Sequence, residues 1–463
     1  MRGLTRRLSA MLVGTRFEDL SRHAGDAVKR SILDTLGCGL AGAGVAECDL
    51  LMESLTPMGS APVATVVGRR LRLASPFAAM VNATAARALD MDDLFEPGQT
   101  HASVAVVPTA LAVAEMLDRP LSGREFMTAT TVAVDLLARL SMAPHRDSNE
   151  TGLSHNYHCG VFASAAAAAR LLGCDERAMQ SALGLALGMA GGTRQPNLEG
   201  VPAVRVQQGW AAHAGVMAGI LAWRGVGGPA EVFEGHYGYF NVYHRGEYAP
   251  ERLVAGLGER FAVEDLTVKF YPACKYAYGA VEAILSLQRQ RVFDSTSVRR
   301  VHVRVPGASY VAVCQPEDRK RAPASAPEAL FSLPYLTAAA LVRGRLTPAE
   351  LTPAALADPQ VLDWARRIEV ERDDGLAIPP DALSSAVVQV ELTSGERVEE
   401  RIIRTVGDPR RPPRYDEIEE KVRVLVDGAG GRDVADVKTL AGTVAALDEL
   451  PDVRELAGLL RGR

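Results

Sequence analysis

From Phe17 to about Gly258, apolar residues recur three and four positions apart in one segment after another, and a large share of them are Ala or Gly. This spacing predicts helices over Ala24–Leu40, Ser103–Leu117, Gly123–Leu140, Val161–Leu172, Glu176–Ala190 and Gly209–Trp223. Faces such as Ser164–Ala169 and Leu183–Gly192 carry side chains too small to hold neighbouring helices apart. Their backbones must approach closely, so the first half of the chain can only be a tightly packed helical bundle. Segments containing Gly, Pro and Asn, notably Glu96–Gly98 and Gly191–Pro202, mark the loops. The start, MRGLTRRLSAMLVGTRF, is basic and then apolar, but its apolar stretch runs only from Leu8 to Gly14. It predicts a first amphipathic helix rather than a secretory leader. The uncharged stretches Thr35–Ala46 and Ala178–Thr193 are shorter than the ~20 strongly apolar residues of a membrane span. No membrane partner is expected.

The period changes after about Glu264. Ser297–Val305 alternates apolar and polar residues, as a half-buried strand does. Ala386–Leu392 and Arg397–Ile403 flank a Gly-containing turn and predict a hairpin, and Ile368–Arg372 is a further short strand. Helical spacing lies between them at Tyr278–Arg289, Glu328–Arg343 and Pro348–Ala355. It returns in the tail at Tyr415–Val426, Val434–Asp448 and Val453–Leu460, entered through the stiff run Arg410–Pro413. A short helical tail cannot bury its apolar face alone, so it should dock on the first domain. At 463 residues the chain exceeds one ordinary core. The expected fold is mainly α: a large discontinuous all-helical domain (1–264 and 408–463) with an inserted smaller α+β domain (265–407).

A net charge of −5 argues against a nucleic-acid surface. Six cysteines are scattered with no CxxC pair, which excludes a zinc ribbon or a thioredoxin-type motif and reads as reduced thiols in a cytoplasm. No GxSxG, phosphate-binding loop or GxGxxG stands at a strand-to-helix junction.

The stretch most suggestive of chemistry is Ala88–Ser103, ALDMDDLFEPGQTHAS. Asp90, Asp92 and Asp93 close one helix, Glu96 and a Gly-containing loop follow, and His101 opens the next. A histidine and a carboxylate on facing elements can exchange a proton with substrate if their pKa values are pushed apart. The same residues could simply terminate and cap two helices. They could also bind a cation, although neither the EF-hand spacing nor HExxH is present; no metal is expected. His155 and His158 lie three apart before the Ala-rich segment, as structural residues or substrate contacts. Arg194 lies in a polar loop that either lines a pocket or is solvated. Lys269 and Lys275 flank YPAC near the domain junction, as surface lysines or as an electropositive rim for an acid.

ALDMDD followed by HASVAVVPTALAVAEM resembles the MmgE/PrpD family, in which ALD-x-DD precedes His-Pro-Ser and a long helix. Further stretches resemble the same family in order: Ile32–Gly42, Gly160–Gly173, Gly209–Pro229, Val232–Gly238, Tyr271–Ile284, Phe331–Tyr335 and Gly407–Lys421. The resemblance implies a helical domain and an α+β domain over a cleft, a homodimer, and cofactor-free chemistry on a small polycarboxylate. Family members dehydrate 2-methylcitrate, decarboxylate cis-aconitate or epimerise an iminodicarboxylate. The family's first aspartate falls on Asp90 and its histidine on His101.

Departures accompany the likeness. Ala102 replaces the proline and Leu94 a usual threonine. Val204, with Arg205 beside it, stands where a lysine is common, and Tyr278 stands where a histidine is common. The expected reaction is dehydration of a citrate- or alkylcitrate-like 2-hydroxy acid. Asp90 or His101 would take the proton beside a carboxylate, and His158 or Tyr278 would protonate the leaving hydroxyl. Arg194, Arg205 and Lys275 would hold carboxylates, with His155 and Lys269 as further contacts. A decarboxylase, an epimerase and an inactive binding homologue remain the alternatives.

Overall fold

The computed structural model describes residues 3–59, 61–291, 293–376, 382, 384–429 and 436–462. Several of its helices begin where a side chain supplies the missing acceptor for free backbone N–H groups. Ser21 caps Arg22–Gly42, Ser122 and Glu125 form a capping box on Gly123–Met142, and Asp175 caps Glu176–Leu187. Leu4–Gly14 is the expected first helix.

The central pair is His155–Leu171 against Ala203–Trp223. They meet through small residues: a Cβ added at Gly215 would lie 2.2 Å from Ser164 Cβ, and one at Gly219 would lie 2.6 Å from Ala168 Cβ. Ser75–Arg87 and Ser103–Met116 pack on the same pair.

Some boundaries differ from those the spacing predicts. The Ala-rich helix starts at His155, six residues before Val161, so His155 and His158 are helical rather than loop residues. Gly160 does not interrupt it, because that position is needed for the approach of Ala211. The helix expected from Gly209 starts at Ala203. The helix expected over Glu328–Arg343 is broken. Pro334 has no N–H to donate and its ring clashes with a preceding turn, so it fits only a first turn, and Ser332 caps a fresh start at Leu333–Arg343. The start of the helix expected from Val434 lies outside the described residues, and the observed helix runs from Val437 to Ala445. A two-residue antiparallel ladder, β1 (Ala64–Thr65) with β2 (Arg72–Leu73), carried no readable alternation.

The second half holds a four-stranded sheet in the order β4 (Glu369–Arg372), β3 (Val298–Val305), β5 (Ala386–Leu392), β6 (Arg397–Ile402). β4 runs parallel to β3, and the other pairings are antiparallel. Tyr278–Arg291 packs on β5 and β6, and Leu333–Arg343 packs on that helix.

Two hydrophobic cores result. One extends from Leu4 to Val268 and takes in Ile418, Val422, Leu440, Val444, Leu456 and Leu460 from the tail. The other gathers residues from Ala273 to Val398. The chain passes between them twice at adjacent places, where Val268 N donates to Gly407 O at 3.0 Å. Gly407 has φ 84°, and a Cβ there would meet Val268 O at 2.0 Å, so only glycine fits. Among the described residues no single helix is long and apolar enough to cross a membrane.

Candidate active site

Three local devices bring distant residues to one corner. Asp90 follows the Ser75–Arg87 helix with φ 53°, a left-handed turn that Asp tolerates better than most side chains. This turn points its carboxylate back at Arg87. Phe95 and Thr100 then exchange backbone hydrogen bonds of 2.7 and 3.2 Å, folding the chain back so that His101 faces the aspartates. Leu94 and Thr267 pair in the same way, at 2.9 and 2.8 Å, which draws Lys269 in from the domain junction.

His101 Nδ1 lies 2.7 Å from Asp92 Oδ2, an oblique approach, and Nε2 lies 3.7 Å from Asp90 Oδ1. Lys269 Nζ donates to Asp90 Oδ1 at 2.7 Å and to the Asp90 carbonyl at 3.1 Å. Arg87 donates to Asp90 and lies 3.4 Å from Asp92 Oδ1. All five side chains are buried, with His101 keeping 7% of its surface. Asp93 is turned away, accepting from Ser31 Oγ at 2.7 Å and from Ser103 N at 3.1 Å, at the start of the helix that follows His101. Asn156 Oδ1 accepts from the His101 N–H at 2.7 Å.

Burial works against ionising every carboxylate here. For Asp90, Arg87 and Lys269 outweigh it and hold the acid below its usual range. For Asp92, His101 and Arg87 do so more strongly. His101 is held below the usual imidazole value by burial and by Arg87, with Asp92 pulling the other way. The resting state is therefore a neutral imidazole between two carboxylates and two cations. Asp92 favours the proton on Nδ1, which leaves the Nε2 lone pair free.

Asp90, Asp92 and His101 also offer three atoms within 4.8 Å of one another that could ligate a metal. Lys269 and Arg87 both engage Asp90 Oδ1, so two positive charges already stand beside the place such an ion would take. The donor set therefore suits proton transfer better than a divalent cation.

The structure thus brings Asp90, His101 and Lys269 together. Lys275 stands beside them, 3.4 Å from Glu96 Oε1, hydrogen-bonded to Thr405 Oγ1, and 4.7 Å from the Tyr278 ring centre. It is 3% exposed, and burial lowers its pKa, so neither lysine is a surface residue. Tyr278 departs from its expected role. Its hydroxyl donates to the Tyr271 carbonyl and accepts from the Tyr271 N–H at 3.1 Å, leaving no proton for a leaving group. Burial drives its pKa well upward.

His158 Nε2 contacts Gly192 O at 3.1 Å and its ring meets Tyr243 edge-on, while His155 packs against His244. Burial depresses these histidines to about 4 and about 3. Arg194 binds Ser148 Oγ at 3.0 Å. Arg205 pairs with Glu47 at 3.1 Å, so its guanidinium is committed to a neighbouring helix. Sequence reasoning missed Arg87, the role of Asp92 and the hold of Asn156 on His101. Arg87 stands three residues before Asp90, a helical pairing distance that would have pointed to it.

A mainly helical, two-core protein with a buried carboxylate–histidine–cation corner at the core junction is the class these features define. The chain belongs to the MmgE/PrpD family: the family's N-terminal domain matches residues 6–251 and its C-terminal domain residues 271–446. That second match runs past Gly407 into the tail that packs on the first core. Cis-aconitate decarboxylase of Aspergillus terreus (strain NIH 2624 / FGSC A1156) is 28% identical over 465 residues, covering 96% of this chain and 93% of the relative. The cis-aconitate decarboxylase of Homo sapiens is 27% identical, covering 100% and 95%. The 2-methylcitrate dehydratase of Escherichia coli (strain K12) is 25% identical, covering 85% and 84%. The relatives are enzymes of both kinds, decarboxylases and dehydratases.

Proposed function

We propose that this chain is a lyase that decarboxylates an unsaturated tricarboxylic acid of the cis-aconitate type, without a cofactor. The observation that carries this reading is His101 set between Asp92 and Asp90, with Lys269 and Arg87 on the same carboxylates. Loss of CO₂ from the saturated carbon of such an acid moves the bonding pair through the double bond. The pair ends on a carbon beside another carboxylate, where one proton must be delivered. His101 Nε2, protonated once an anionic substrate offsets the cations, is the donor. Lys269 and Arg194 meet the remaining carboxylates, and Lys275 acts from beside Glu96. The reaction then balances as the carboxylate anion plus one proton giving product plus CO₂.

Decarboxylation needs one proton donor. Dehydration needs a second acid for the departing hydroxyl, and the Tyr278 hydroxyl is held by Tyr271. The greater coverage of the decarboxylases supports the same choice. One observation favours dehydration of a 2-hydroxy polycarboxylate instead: a resting neutral His101 suits a base. A homodimer in a reducing cytoplasm accompanies either reading, the second supported by six free cysteines.

The test incubates the purified protein with cis-aconitate, 2-methylcitrate and iminodisuccinate, and follows CO₂ release together with proton NMR of the products. CO₂ from cis-aconitate, reduced by about 10²- to 10⁴-fold in His101→Asn, supports the proposal. Water loss from 2-methylcitrate without CO₂ release selects the dehydratase. Epimerised iminodisuccinate selects the epimerase, and turnover of none of the three leaves a binding homologue.

A further inference from the structure

The peptide linking Asp90 to Asp92 is held from behind by a residue more than three hundred positions away. Lys421, in the tail helix Tyr415–Gly428, donates from Nζ to the Met91 carbonyl at 2.6 Å and also to Asp34 of the Arg22–Gly42 helix. Lys421 is 5% exposed and Asp34 fully buried. The Met91 side chain packs with Cys38, Ala41 and Leu425, so the same two helices grip it. Met91 and Lys421 also line a cavity of about 550 Å³, together with Phe270, Val406 and Leu425.

A buried ion pair adds little net stability, because the cost of removing both charges from water offsets their attraction. What this pair supplies is geometry. A charged donor on a single carbonyl is a strong directional restraint. The carbonyl it restrains sits midway between the two carboxylates that face His101, next to the left-handed turn at Asp90.

We infer that Lys421, balanced by Asp34, is a positioning residue: it fixes the Met91 carbonyl and thereby the placement of Asp90 and Asp92 about His101. This rests on the reading of that trio as the reacting cluster. The restraint also explains what the tail contributes beyond closing the core, since it carries the donor to the corner.

The test compares the full-length wild type with Lys421→Met/Asp34→Leu, which removes donor and charge partner together and leaves no orphaned buried ion. Three readouts are taken: thermal midpoint, kcat and KM, and the imidazole titration of His101 by NMR, assigned by its loss in His101→Asn. The double variant is expected to fold with a midpoint near that of the wild type. kcat should fall at least about tenfold with KM little changed, as misplaced catalytic groups behave. His101 should titrate about one unit lower, because Asp92, which raises it, is no longer held in place. Unmoved titration with wild-type turnover overturns the inference. If the double variant does not fold, Asp34→Asn takes its place: Lys421 loses an anchor, and His101 must move in the same direction by less. An unmoved titration there is equally fatal. A wild type inert toward every acid defeats the reaction reading alone, since the titration still decides whether Lys421 positions the corner.

Discussion

A single oxygen of Asp90 faces Arg87, Lys269 and His101 at once. That crowding sets what each group can do. Burial, together with the Arg87 and Lys269 charges, holds the His101 imidazole below its usual pKa in the free protein. If His101 donates the proton, kcat/KM falls as pH rises through its lowered pKa, because the acid form is lost. If His101 is the base, the profile turns over and kcat/KM falls as pH drops. A pH–rate profile on cis-aconitate from pH 5 to 8 reads the sign directly, and a rise with pH would defeat the donor role. Tyr278 gives a second prediction at this scale. Its hydroxyl is engaged on both sides by Tyr271, so Tyr278→Phe should keep kcat within about threefold while lowering stability by about 1 kcal/mol. A hundredfold loss of kcat at an unchanged thermal midpoint would restore Tyr278 to the chemistry.

At the scale of elements, close approach is the governing constraint. The His155–Leu171 and Ala203–Trp223 helices touch where Gly215 meets Ser164. Gly215→Val should destabilise the protein by about 1–3 kcal/mol through overpacking, read as a lowered midpoint in thermal or urea unfolding. A midpoint equal to that of the wild type would show that the helices can separate freely. The small-residue faces made this bundle legible in the sequence, and so did the alternation over Val301–Val305 in β3 and the Gly-containing turn between β5 and β6 for the sheet. Starts were less legible. The helix at His155 begins earlier than its apolar spacing suggests, because His155 and His158 are polar residues buried by tertiary contacts and half-buried Asn156 accepts from the His101 backbone, which spacing does not record. The candidate site divides along the same line. Asp90 and His101 stand in one readable motif, whereas Lys269 arrives through the Leu94–Thr267 pairing, a contact no local pattern announces. Arg205 read as a substrate cation because it adjoins Val204, yet its partner Glu47 comes from another helix.

For the molecule as a whole, three buried histidines make acid a specific hazard. His155, His158 and His244 are depressed by burial to about 3, about 4 and about 4, whereas unfolded histidine titrates near 6.5. Between those limits the unfolded chain binds more protons than the folded one. Stability is therefore complete above about pH 6.5 and drains as pH falls toward 4, by about 1.4 kcal/mol per pH unit for each histidine. Urea unfolding at pH 7, 6 and 5 should show the loss, and His244→Gln should flatten it; identical slopes in the two proteins would refute this account. The crossing at Val268 and Gly407 has a different kind of consequence. Because the outgoing and returning chains are joined there by a backbone hydrogen bond, the two ends of the segment between them lie side by side. Exchanging that segment between relatives would need only two neighbouring splice points, and it would carry Lys269 and Lys275 away while Asp90 and His101 stay with the recipient, so the corner would have to be rebuilt across the join.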